Sequence, residues 1–156
     1  MPWFSTKTYT HNEGLSCAFR QWRANSHCNL IHGYALKFHF RFEADFLDER
    51  NWCADFGDLK ELKTWLHQTF DHTLCVAQDD PELDTFLLLH EKKLADVRVV
   101  DAVGCEKFAE MAYSTASEIV KQKYQWRVRV AMVEVNEHEG NSAAFNGTLG
   151  PRYTTI

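Results

Sequence analysis

Residues 35–44 place Leu36, Phe38, Phe40 and Phe42 in strict alternation with Lys37, His39, Arg41 and Glu43. Period-two alternation puts the apolar set on one face of an extended chain and the charged set on the other, so this stretch predicts a half-buried β-strand. Three phenylalanines on one face need a covering layer, and the chain supplies two amphipathic stretches to make it. In the first, Leu59, Leu62, Leu66 and Phe70 recur at helical spacing behind Asp58, read as the N-cap. In the second, Phe108, Ala112, Thr115 and Ile119 line one side of a longer helix that opens at Gly104-Cys105-Glu106 and runs to about Lys123.

The remaining segments fit around that pair of layers. Residues 5–9 and 15–22 read as extended, separated by a turn at Asn12-Glu13-Gly14, either as a hairpin or as one bent strand. Residues 52–56 read as a short strand bearing Asp55, and residues 97–102 as another extended stretch. Asp79-Asp80-Pro81-Glu82 reads as the cap of a short peripheral helix through Leu83, Phe86, Leu87 and His90. Residues 126–137 are β-rich, and residues 141–146 are expected to pair back across Gly140 before a loose tail from Gly147. The expectation is an α+β fold: a sheet of about four antiparallel strands with two main helices on one face. Such a sheet keeps open edges, which predicts a homo-oligomer.

With 156 residues, 45% of them hydrophobic, residues 1–156 suit one domain with a real core. No run of about 18 apolar residues exists to span a bilayer, and Met1-Pro2-Trp3-Phe4 lacks the basic-then-apolar order of a signal peptide. A soluble, cytoplasmic protein without a membrane partner is expected. The net charge of -5, without a basic stripe, argues against nucleic acid as a partner. The five cysteines are scattered and never form Cys-x-x-Cys, so they read as reduced thiols, most of them buried. Cys28 stands apart, because Ser26-His27-Cys28-Asn29-Leu30-Ile31-His32-Gly33-Tyr34 gathers a thiol and two imidazoles just ahead of the alternating strand.

Five short motifs occur in order: Ser16-Cys17-Ala18-Phe19-Arg20, Cys28-x-x-x-His32-Gly33-Tyr34, Asp55-Phe56-Gly57-Asp58-Leu59-Lys60, Phe70-Asp71-His72 and Val133-Glu134-Val135-Asn136-Glu137. In order and spacing they resemble the 6-pyruvoyltetrahydropterin synthase and 6-carboxytetrahydropterin synthase family over roughly residues 5–147. The resemblance implies a tunnelling fold, assembly as trimers stacked into a hexamer with sites at subunit interfaces, and a pterin substrate, 7,8-dihydroneopterin triphosphate. It also implies zinc as cofactor. Carried over by motif, Cys28 matches the proton-abstracting base, Asp71 and His72 the second acid/base pair, and Glu137 the carboxylate that anchors the pterin ring. Glu106 matches a further acidic position, where it serves the pocket or simply favours the positive end of a helix. Each has an ordinary alternative: an inert thiol for Cys28, a helix-end cap for Asp71-His72, a solvated strand end for Glu137. Arg20, Arg23 and Lys37 could meet a triphosphate or simply be solvated.

The resemblance breaks at the metal. The family holds zinc with three histidines, one in a Ser-Ala-Ala-His type motif and two in His-Gly-His; here Phe19 stands at the first, Tyr34 at the last, and only His32 is kept. A catalytic zinc takes three protein ligands. Three arrangements compete: a rebuilt site in which His11 and His27 join His32, a different metal held with Tyr34 or Cys28, or a metal-free pterin- or purine-binding protein. The spacing of Cys28 to His32 is closer to that of the carboxy-type lyases of the queuosine and deazapurine precursor route than to that of the pyruvoyl-type enzymes.

Overall fold

The structure, a computed structural model, describes residues 1–147; the expected loose tail lies, beyond Gly147 itself, outside the described residues. Ten elements follow in order: β1 (Trp3–Tyr9), β2 (Leu15–Phe19), β3 (His32–Ala44), α1 (Lys60–Phe70), β4 (Thr73–Ala77), α2 (Leu83–Glu91), β5 (Val97–Val100), α3 (Cys105–Tyr124), β6 (Val128–His138) and β7 (Asn141–Phe145). Short 3-10 turns cover His11–Glu13, His27–Asn29 and Phe56–Leu59.

The alternating stretch is the spine of the sheet. Along one edge of β3, β1 pairs with its second half (Tyr9↔Phe38 to Trp3↔Ala44) and β2 with its first half (Leu15↔Leu36 to Phe19↔His32). Of the two readings for the first segments, one bent strand is nearer the outcome: β1 and β2 lie end to end against β3, hinged at the His11–Glu13 turn and at Gly14, whose φ of 73° suits glycine. Along the other edge β3 pairs with β6, and β6 with β7, all antiparallel.

The sheet has seven strands rather than four, and it is mixed rather than antiparallel: β4 runs parallel to β2 and to β5. The strand missed outright, β4, is buried at all five positions. Leu74 and Val76 join Phe86 of α2 and Val97 of β5 in a small second cluster, while Cys75 and Ala77 belong to the main core. A strand covered on both faces loses its alternation, so its sequence carries no period-two signal. The strand expected at residues 52–56 does not form. There the carboxylates of Asp48 and Asp55 accept from the backbone N–H of Arg50, Trp52 and Gly57, which replaces a ladder with local turns.

On the core face, Leu36, Phe38, Phe40 and Phe42 are wholly buried. Phe70 of α1 meets Phe38 at 4.8 Å and Phe108 of α3 at 5.2 Å, so one aromatic seam joins both helices to the sheet. Burying each such ring contributes about 1.5–3 kcal/mol relative to exposure. This seam continues to Phe19, 5.2 Å from Phe108, and so to the end of β2 where the candidate residues gather.

Candidate active site

The segment carrying Cys28 is irregular but tied down. The Ser26 hydroxyl accepts from the Cys28 N–H at 3.3 Å, and the Gln21 N–H donates to the Cys28 carbonyl at 2.9 Å. Asn29 donates to the Trp22 carbonyl at 2.8 Å and accepts from Arg20 at 3.1 Å. Arg20 in turn grips the buried Asp80 with two bonds of 2.8 and 2.9 Å, a planar fork against a carboxylate. The Gln21 amide donates to the Val103 carbonyl at 2.8 Å, binding this loop to the approach of α3. Gly104 has a φ of 109°, and a Cβ there would sit 2.5 Å from the Gln21 amide, so both backbone conformation and space require glycine.

Cys28, Tyr34, Cys105 and Glu137 lie near enough to influence one another electrostatically, in one group at the N-terminus of α3. The Tyr34 phenol is raised above its usual value of 10.0 by burial and then by the neighbouring Glu137, Cys28 and Cys105. Cys105 is buried, which pushes its thiol up to about 12, with Glu137 and Glu106 adding to the effect. Cys105 is therefore a neutral thiol at physiological pH, although it bonds the backbone of Glu137. Glu137 is half-buried at the end of β6, Cys28 is half-buried, and Glu106 lies exposed in the first turn of α3. Both Cys28 and Glu137 thus keep an open side.

The positions that the resemblance assigns to zinc ligands hold three rings instead. Phe19 and His32 are register partners, with ring centroids 5.5 Å apart; Tyr34 lies 5.7 Å from His32 and 6.4 Å from Phe19. Phe19 offers no donor, and the His32 Nδ1 is engaged with the Leu30 carbonyl at 2.7 Å, leaving one imidazole nitrogen. The rebuilt site is not assembled. The His11 Nδ1 meets the Ala35 carbonyl, its Nε2 lies 3.3 Å from Glu139, and His27 is exposed in its own 3-10 turn. Among the described residues no three His, Cys, Asp or Glu side chains are grouped to hold a metal ion. The residues present do not fit the zinc that the family typically binds.

A second group forms where α1 meets β4. Asp71 accepts from the His72 Nδ1 at 2.5 Å through one oxygen and faces the His67 Nδ1 at 3.0 Å with the other. The Nε2 of His67 lies 3.2 Å from Glu13, which also pairs with Lys63 at 3.4 Å. His72 has a φ of 56°, an uncommon conformation for a residue with a Cβ, and its side chain is 89% exposed. The two imidazoles hold the Asp71 carboxyl below the usual carboxylate range, His67 first and His72 second. His67 is raised in exchange, chiefly by Asp71 and then by Glu13. Among the described residues no hydrogen bond or ion pair joins this group to that of Cys28, Tyr34, Cys105 and Glu137.

Some candidates are committed elsewhere. Arg20 serves Asp80, Arg23 pairs with Asp79 at 2.9 Å, and Lys37 with Glu139 at 3.2 Å. Two contributors were missed from sequence. The i,i+4 spacing of His67 and Asp71 on one helix face was a usable signal; the approach of Glu13, 54 positions away, was not. A hollow of about 520 Å³ lined by Trp3, Phe4, Trp52 and Phe56 lies at the far end of β3, where Trp3 pairs with Ala44, and holds none of the candidates.

Comparison with known proteins shows the family and the fold. The family model for 6-pyruvoyl tetrahydropterin synthase matches residues 8–148, and the chain belongs to that family, which is a family of lyases. Over 57 residues it is 35% identical to the 6-carboxy-5,6,7,8-tetrahydropterin synthase of Rickettsia conorii and 33% identical to that of Rickettsia felis. Those matches cover 36% of this chain and 41% of each relative, so under half of the curated relatives' length is spanned. An uncharacterized protein from Wolinella succinogenes superposes with a TM-score of 0.81 at 18% identity, over 95% of this chain and 99% of that one. The 6-pyruvoyl tetrahydropterin synthase of Plasmodium vivax gives 0.64 at 13% identity, over 94% and 99%. At such identities the structural likenesses establish the fold.

Proposed function

We propose that this chain binds a reduced pterin at the group around Glu137 and acts as a tetrahydropterin synthase-like lyase on the pterin side chain. The observation that carries this reading is the convergence of Glu137, Cys28, Tyr34 and Cys105 at the N-terminus of α3. A half-buried carboxylate can accept two parallel N–H bonds from the amino-pyrimidine edge of a pterin, which fixes the ring's orientation. Cys28, at the open side, is the group for removing a proton from the side chain, and His72, oriented by Asp71, is the group for returning one. The names of the Rickettsia relatives favour a 6-carboxytetrahydropterin product; 7,8-dihydroneopterin triphosphate as substrate and a place on the queuosine and deazapurine precursor route are what the family resemblance and the Cys28 to His32 spacing suggest.

Assembly of several copies is part of the proposal. The outer edges of β5 and β7 end the sheet, and among the described residues no hydrogen bond or ion pair joins the Asp71–His72 pair to the Cys28 group within one chain. A trimer or hexamer would let one chain's His72 face another's Cys28. A second reading, a pterin- or purine-binding protein without lyase activity, is favoured by the aromatic side chains at the family's metal positions. Incubating the purified, metal-stripped protein with 7,8-dihydroneopterin triphosphate, alongside equilibrium binding of 7,8-dihydroneopterin, separates the two. Product formation that disappears in Cys28→Ala supports the lyase. Binding without product supports the second reading, and absence of binding defeats both.

A further inference from the structure

The second group holds a residue that the proposed chemistry does not use. His67 stands between two carboxylates, with Nδ1 facing Asp71 at 3.0 Å and Nε2 facing Glu13 at 3.2 Å. A neutral imidazole carries one N–H and one lone pair, so it can satisfy only one of two carboxylates and sets its lone pair against the other. Only the imidazolium donates to both. The geometry therefore demands a cation at His67 whichever tautomer is assigned.

That cation has a consequence for its neighbour. One Asp71 oxygen is taken by His67 and the other by the His72 Nδ1, so the carboxylate is pinned at both ends. An aspartate held only by His72 could rotate about its side chain and let the exposed imidazole turn. Pinned, it fixes the His72 Nδ1 as the donor and leaves Nε2 as the free lone pair aimed outward. We propose that His67 is a positioning residue that, as an imidazolium clamped by Glu13, locks Asp71 and thereby sets the tautomer and orientation of His72.

The charged and titratable groups around His67 come from three directions. Asp71 and His72 lie at the end of its own helix, and Lys63 one turn earlier reaches Glu13. Glu13 comes from the turn before β2, and the Tyr9 phenol of β1, pushed up to about 12 chiefly by burial, feels the same Glu13 charge. Glu13 is lowered despite burial, because His67 and Lys63 outweigh it. Lys63 shares the Glu13 oxygen that His67 faces, so it competes for the clamp while helping to keep Glu13 ionised.

This inference extends the lyase reading, yet its test needs no turnover. Imidazole ¹⁵N spectra of the full chain should show His67 doubly protonated at neutral pH and His72 in the single tautomer with hydrogen on Nδ1. In Glu13→Gln, the His67 titration midpoint should fall, because one of its two neighbouring negative charges is lost. In His67→Gln, His72 should become a mixture of tautomers, and any measured kcat should fall about tenfold with KM unchanged. A His67 that is singly protonated at neutral pH, or a His72 tautomer unchanged in His67→Gln, would overturn the clamp. A failed lyase assay with these spectra intact would instead overturn only the function proposed above.

Discussion

The two candidate groups are built on opposite principles. Around Cys28, Tyr34, Cys105 and Glu137, burial is the leading influence: it raises the phenol and the buried thiol, and the supporting wall is the aromatic seam from Phe19 to Phe108. Around Asp71 and His72, pairing leads: a carboxylate is lowered and an imidazole raised by mutual contact on a partly exposed surface. Burial suits recognition of a flat ring, since water is excluded from the hydrogen-bonding edge. Charge pairing in the open suits a group that must meet a proton and let it go.

Removing the wall should have the largest effect. Phe108→Ala takes the ring out from between Phe19 and Phe70 and should cost about 3–5 kcal/mol of stability. Chemical denaturation would measure it, and a loss under about 1 kcal/mol would mean that the wall is not packed as described. Next in size, Asp71→Asn should lower turnover about 10²-fold or more, the usual weight of a positioned acid/base pair. Pterin affinity should stay as in the parent. An equal loss of binding would erase the division of labour between the groups.

Much of the first group was legible in the sequence, and much of the second was not. The alternation of Leu36 to Phe42 marks the core face of β3, and the departures at Phe19 and Tyr34 from the family's three-histidine pattern are visible before any coordinates. The packing of those rings was not legible, nor was the contact of Cys105 with Glu137, because both depend on how α3 meets the sheet. β4 escaped because burial on both faces removes alternation. Glu13, the second partner of His67, escaped because it is brought near only when α1 packs beside the turn before β2. Local periodicity reports one face of one element, whereas a site joins residues that are distant in the chain.

A smaller effect follows from Glu137→Gln. The charge is lost while shape is kept, so pterin affinity should weaken about tenfold or more, consistent with roughly 1.5–3 kcal/mol for a bond to a charged group. Smallest is the pH dependence of stability from the second group. His67 is raised from 6.5, so its contribution is full below 6.5 and lost as pH climbs through its folded value. Asp71 and Glu13 are lowered from 3.8 and 4.5, so theirs is present above those values and lost as pH drops through the folded ones. Exposed pairs contribute about 0–1 kcal/mol. Melting temperatures in His67→Gln should therefore lose part of the alkaline decline expected of the parent; identical profiles would deny the pairing.

The group at the N-terminus of α3 is proposed to recognise a pterin through Glu137 without a three-histidine metal site. Equilibrium binding of 7,8-dihydroneopterin to metal-stripped protein, parent against Glu137→Gln, measures this most directly. The account predicts that the stripped parent binds and that the variant binds at least about tenfold more weakly. Binding that requires added zinc, or that is indifferent to Glu137, would contradict it.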